Sequence, residues 1–147
     1  MSLRERLNDE LKLSMKSKDE LKLSVIRMIR SSMKNREIDL KHELDDREII
    51  EIISTLCKQR RESIRLFGEA SRQDLVDKEE KELALLLEFL PQQLTREELE
   101  DLVMKTIAEC GAQGNKDMGR VMKALQPGVA GRADGKLVSE VVKEKLA

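Results

Sequence analysis

Apolar residues recur every three or four positions through nearly all of this 147-residue chain, which is the helical period and not the strand period. Leu3, Leu7, Leu11 and Met15 form one stripe, opened by Ser2 with Glu5 as a capping box. The stripe breaks near Ser17 and Asp19, and a second helix follows with Leu21, Val25, Met28, Ile29 and Met33 inward. From Asn35 to Leu44 the period is lost, so this stretch, which holds the single histidine His42, is expected to be a loop. Asp45 with Glu48 caps a third helix, whose core face is Ile49, Ile52, Ile53, Leu56, Ile64 and Phe67. Gly68 falls where a left-handed C-terminal cap is expected. Ser71 and Asp74 open a fourth helix that begins polar and ends in LALLLEFL, residues 83–90. That run is apolar on several sides and must be covered on several sides, so a domain junction is expected there, with the C-terminal part packing onto it.

Pro91 stops the fourth helix, and residues 92–94 make a short linker. Thr95 with Glu98 caps a fifth helix with Leu99, Leu102, Val103 and Ile107 inward, ended by Cys110-Gly111. Asp117 starts a short sixth helix with Met118, Val121, Met122 and Leu125 inward, ended by Pro127 and Gly128. Asp134 caps a seventh, with Leu137, Val138, Val141, Val142 and Leu146 inward. No stretch alternates as a strand does, and no repeat of 20–50 residues stands out. The pattern predicts an all-α protein: an N-terminal four-helix domain, residues 1–91, followed by a small three-helix C-terminal domain, residues 92–147.

Composition narrows the function. Charged residues are 39% of the chain, as many as the hydrophobic ones, and aromatics are 1%, only Phe67 and Phe89. A protein this poor in rings does not bind single strands by stacking bases. The net charge of −1 excludes a general polycation, so any nucleic-acid surface must be a local patch. From Lys116 to the end there are seven Lys/Arg against four Asp/Glu, whereas residues 1–91 hold nineteen against twenty. Cys57 and Cys110 show no CxxC spacing, and with one histidine they build no zinc site; both read as small reduced hydrophobes. There is no apolar signal-peptide core at the N-terminus and no window approaching 18 apolar residues, so a cytoplasmic protein with no membrane partner is expected.

The chain offers little for bond chemistry. It has no Gly-x-Ser-x-Gly elbow and no Walker A loop. His42 sits between Lys41 and Glu43 in a polar stretch and reads as solvent-exposed. Asp45/Asp46 and Glu79/Glu80 are adjacent, and helix neighbours point about 100° apart, so neither makes a general acid/base pair by itself. No catalytic residue, metal ligand or cofactor is expected. What remains is basic. Arg27, Arg30 and Lys34 form one row at helical spacing, and Lys58, Arg61 and Arg65 form another. Both are solvated faces, or one basic wall if the second and third helices are neighbours. Lys116, Arg120, Lys123, Arg132 and Lys136 form the C-terminal set, near helix starts at Asp117 and Asp134 that favour anions unless the two aspartates themselves satisfy them. Gly119 fits a close helix approach or an RNA backbone lying against the helix.

Five segments then point to a family. LPQQL (90–94), KDMGRVMKAL (116–125) and GRADGKLV (131–138) resemble the GatB/YqeY family, KQRRESI (58–64) and GEASRQDL (68–75) resemble its stand-alone YqeY-like members, and the similarity covers almost the whole chain. The resemblance implies an all-helical two-domain protein whose C-terminal part is similar to the tail domain of GatB, the B subunit of the glutamine-dependent Asp/Glu-tRNA amidotransferase. That tail reaches the outer corner of the tRNA and does no bond chemistry. The catalytic parts of the amidotransferase have no counterpart here, so a carbon–nitrogen ligase label would attach by domain similarity only. Carried over on the matching motifs, the basic set is Lys116, Arg120, Lys123, Arg132 and Lys136; apart from the resemblance, the N-terminal domain is expected to be a rigid partner or a second contact surface using Arg27, Arg30, Lys58, Arg61 and Arg65. Where family members often carry a lysine, Gly128-Val129-Ala130 is uncharged. The expectation is a tRNA-binding accessory protein of aminoacylation or transamidation that docks by shape and phosphate contacts. The alternative is a helical interaction module for an amidotransferase subunit or a tRNA synthetase, without RNA contact.

Overall fold

The structure is a computed structural model describing residues 1–147. It is all helical: α1 Leu3–Ser17, α2 Glu20–Leu40, α3 Asp46–Glu69, α4 Gln73–Leu87, α5 Arg96–Cys110, α6 Met118–Val129 and α7 Gly135–Leu146, with a 3-10 turn at Asn115–Asp117. The chain divides into two compact units, Met1–Leu90 and Pro91–Ala147, each with its own core.

In the first unit, capping boxes start α1 at Ser2/Glu5 and α3 at Asp45/Glu48. The neighbouring carboxylates Asp45 and Asp46 divide their work between two helices. Asp45 caps α3, while Asp46 Oδ1 accepts from the Leu3 N–H at 3.0 Å and ties the start of α1 to the start of α3. The core gathers Leu7, Ile26, Ile29, Ile49, Ile53 and Leu86, all but sealed from solvent. The apolar end of α4 belongs to this same core: Leu86, Phe89 and Leu90 are buried among these residues, with Leu83, Leu85 and Leu87 packed against them. Arg6 lies over the Phe89 ring, 5.2 Å from its centroid, and its guanidinium donates to the Glu88 carbonyl.

Four local expectations are corrected in this unit. The stretch 35–44 is not all loop: α2 runs to Leu40 and ends on Lys41 in a left-handed conformation (φ 59°). The apolar period fails there because the helix outruns the core, leaving Ile38 exposed. Gly68 does not terminate α3 but lies within it, and the left-handed residue is Ser71 (φ 56°), closed by the Arg72 N–H to Phe67 O at 2.9 Å. Ser71 is thus spent on ending α3, and α4 starts at Gln73 with no side-chain cap, Asp74 pairing with Arg72 instead. Met15 is exposed, and the inward position at the end of α1 is Ser14, whose hydroxyl donates to Glu10 O at 2.7 Å.

In the second unit, Leu99, Val103, Val121, Leu125, Val138, Val141 and Val142 form the core between α5, α6 and α7. Thr95/Glu98 caps α5, and Gly111 ends it in a left-handed conformation (φ 64°). Pro127 and Gly128 do not end α6. The helix continues to Val129, because the Ala130 N–H reaches Gln126 O at 3.0 Å and closes the last turn across the proline, whose ring stays on the exposed side. A close helix approach, one of the two readings of Gly119, is found at Gly128 instead. A Cβ there would stand 3.2 Å from Leu102 Cδ2, whereas one at Gly119 would meet nothing within 4 Å.

Candidate nucleic-acid interface

The α6–α7 turn, 130–134, organises the second unit's basic end. Gly131 holds φ at +71°, a conformation that favours glycine, and the N–H groups of Arg132 and Ala133 both turn back to Val129 O. Three hydrogen bonds then stitch this turn to the segment before α5. The Leu94 N–H donates to Arg132 O (2.8 Å), Gln93 Nε2 to Gly131 O (2.7 Å), and Arg132 Nε to Gln92 O (3.1 Å). The segments LPQQL and GRADG, far apart in sequence, are therefore one structural element.

This geometry sorts the C-terminal basic set. Arg132 is half-buried and spends its Nε on the Gln92 carbonyl, so it acts first as a clamp. Arg120 is exposed but pairs with Asp117 at 3.3 Å. Lys116 and Lys123 are exposed and make no ion pair; Lys123 lies on the side of α6 opposite Val121, Leu125 and Val129. Lys136 is exposed in the first turn of α7 and makes no ion pair. Neither aspartate caps its helix through its side chain. Asp117 faces backwards instead, accepting the Gln113 N–H at 2.9 Å and pairing with Arg120. The first turn of α6 thus has no side-chain cap, its Met118 N–H turning back to Asn115 O, and Lys116 stands just before it.

The first unit's two basic rows do not line one cleft. Arg27, Arg30 and Lys34 line a cleft of about 480 Å³ whose walls come from α1 and α2 alone. Lys58, Arg61 and Arg65 stand on α3 outside that cleft, and Arg65 is held by Glu62 and Glu69. Arg4, Asn8 and Ser31 also line the cleft and were missed by the row pattern, because their placement depends on how α1 packs on α2. The helical-hairpin connection between the two stripes is the signal that brings them into reach.

His42 Nε2 lies 2.8 Å from Glu48 Oε2, and this hydrogen bond raises the imidazole pKa above its ordinary value. Cys57 is buried and Cys110 partly so, and neither is in a disulfide. No group of three or more His, Cys, Asp or Glu side chains is placed to hold a metal ion, and no helix is long and apolar enough to cross a membrane.

A family model described as Yqey-like protein matches residues 4–146. The chain belongs to the Yqey-like family. Its similarity extends to proteins named Altered inheritance of mitochondria protein 41, mitochondrial. The one from Pyrenophora tritici-repentis is 32% identical over 141 residues, 95% of this chain and 78% of that protein. The Kluyveromyces lactis protein is 36% identical over 107 residues, 70% and 57% of the two chains. The Vanderwaltozyma polyspora protein is 41% identical over 85 residues, 57% and 46%. The matched region spans about half the length of several of these family relatives. The cytoplasmic expectation is overturned here, since these relatives are named as mitochondrial. A missing apolar signal core does not by itself place a protein in the cytoplasm, because mitochondrial targeting segments are amphipathic and rich in arginine.

Proposed function

We propose that this Yqey-like protein is a tRNA-binding accessory protein of aminoacylation or transamidation. In this proposal the second unit acts as a domain similar to the GatB tail, docking folded tRNA by shape and phosphate contacts, and the first unit is a separate helical domain. The observation that carries the reading is the trio Lys116, Lys123 and Lys136, exposed and without ion pairs: Lys116 just before α6, Lys123 on its outer side and Lys136 in the first turn of α7. Arg120 joins them only by exchanging Asp117 for a phosphate, and Arg132 positions the turn that holds them. In this reading the protein acts without bond chemistry of its own, its one imidazole being engaged by Glu48.

The test is fluorescence anisotropy of labelled tRNA at two salt concentrations, with the wild type and with Lys116, Lys123 and Lys136 changed to Glu. Three phosphate contacts imply that log K falls with log[salt] with a slope of about −2 to −3. The variant should lose this binding while keeping its helical circular dichroism. The relatives' mitochondrial designation makes organellar tRNA the first RNA to try.

The second reading, a protein-interaction module, is favoured by one observation: Leu13, Met15 and Ile38 are each more than half exposed on the first unit. It predicts no tRNA binding at low salt, and retention of an amidotransferase subunit or tRNA synthetase after RNase treatment.

A further inference from the structure

The chain neutralises most of its structured arginines with acids one helical turn away or on a facing helix. Arg65 lies between Glu62 and Glu69, Arg96 between Glu100 and Glu144, and Arg60 between Glu79 and Glu82. The α1–α2 cleft breaks this rule. Arg27, Arg30 and Lys34 follow one another at i, i+3 and i+7 on one face of α2, and none makes an ion pair. The positions three and four residues from Arg27 and Arg30 hold Leu, Ser, Ile, Met and other cations, never an acid. Lys34 has Glu37 one turn on, but that carboxylate is held by Arg4 at 3.2 Å. Like charges at this spacing repel, so the row costs stability when the cleft is empty. The cleft's floor is apolar, Leu7 and Met33, both buried; Asn8 and Ser31 add neutral polar groups to its walls, and its one carboxylate, Glu37, is paired with Arg4, which also lines it.

We infer that this cleft binds a ligand carrying several phosphates in series. Seven residues of helix separate Arg27 from Lys34, so the cations spread over roughly 10 Å along α2. That span suits a chain of phosphates better than a single one. A nucleoside polyphosphate and a short single-stranded nucleic-acid backbone share this chemistry. The bound phosphates take the hydrogen bonds and countercharge that the chain withholds from Arg27, Arg30 and Lys34. The inference concerns the first unit and stands whether or not the second unit docks tRNA.

The test titrates sodium tripolyphosphate by calorimetry into the full chain carrying Lys116→Glu, Lys123→Glu and Lys136→Glu, which silences the second unit's lysines. The same titration is repeated with Arg27→Gln and Arg30→Gln added. The expected result is saturable binding near one equivalent, weakened roughly tenfold or more by the two added changes. Without ligand, these changes should leave melting temperature unchanged or raise it, since they remove repulsion and break no ion pair. Displacement of tripolyphosphate by ATP assigns the nucleotide source, and displacement by a short oligouridylate assigns the backbone source; either supports the site. Absence of binding, or equal binding with and without Arg27 and Arg30, overturns it.

Discussion

Arg60 makes the sharpest test of how charge is handled inside this protein. It joins α3 to α4 and lies well out of solvent, as do both its partners: side-chain exposure is 16% for Arg60, 14% for Glu82 and 19% for Glu79. Arg60 Nε stands 2.7 Å from Glu82 Oε2 and 3.3 Å from Glu79 Oε2. The nitrogen has one hydrogen, and it goes to Glu82. Glu79 Oε2 is therefore buried, within ion-pair range, and without a hydrogen bond. Arg60→Met leaves two carboxylates facing each other with no cation, which for fully buried pairs costs about 3–5 kcal/mol; with the residual exposure here, about 2–4 kcal/mol is expected. The two acids should not be equivalent. Glu82→Gln loses a charge-assisted bond and should cost about 1.5–3 kcal/mol. Glu79→Gln loses only screened attraction, relieves the crowding of two acids on one cation, and should cost under about 1 kcal/mol. Urea unfolding followed by circular dichroism, with melts of each variant as a check, measures all three. The reasoning fails if Arg60→Met costs less than about 1 kcal/mol, or if Glu79→Gln is as damaging as Glu82→Gln.

Three further perturbations test other parts of the structure. Gly68→Ala and Gly119→Ala meet open space on helices, so each should stabilise by up to about 1 kcal/mol in thermal melts; if RNA backbone lies against α6, Gly119→Ala should weaken tRNA binding despite the more stable fold. Asp46→Ala should cost about 1 kcal/mol and raise hydrogen exchange at the start of α1, because it removes the acceptor of the Leu3 N–H; Asp45→Ala should act on the start of α3 instead. His42→Gln should destabilise at pH 5.5 and have little effect at pH 8. The Glu48 hydrogen bond raises the folded-state pKa, so the histidine's contribution is complete below its unfolded value near 6.5 and fades as pH climbs through the folded one.

The helices were legible where a local rule acts on a local segment. Capping boxes at Ser2, Asp45 and Thr95 located three helix starts, and Gly111 located an end, because each needs only residues within one turn. What misled was local chemistry overruled by something remote or simply by another local option. Gly68 offered a left-handed stop, but Ser71 adopts that conformation and the helix runs on. Pro127 lacks the N–H that would reach back one turn, yet one missing bond near a helix end is tolerated where the following turn closes over it. The basic side chains of the proposed interface were all visible as a C-terminal surplus. Their differing commitments were not, since whether Arg132 faces a phosphate or the Gln92 carbonyl depends on the fold of a segment 40 residues earlier.

That difference in commitment is the more useful guide to function. An exposed cation on a helix ordinarily has an acid within one turn, and a net charge of −1 means this chain has acids to spare. Yet Lys116 and Lys123 have no acid three or four positions away, and neither do Arg27 and Arg30. Lys136 has Glu140 in register but forms no pair with it. Random placement of so many carboxylates would scatter them over these faces as well. Acids are few on these two surfaces, and Glu37 and Asp117 are engaged by Arg4 and Arg120, so unpaired cations stand in each unit of a protein that is nearly neutral overall. Such surfaces recruit anions by position and not by total charge, so substitutions there should change ligand affinity and its salt dependence while leaving stability close to that of the wild type. Arg60 and Arg132 should behave the opposite way, because their guanidinium groups are already bound within the fold.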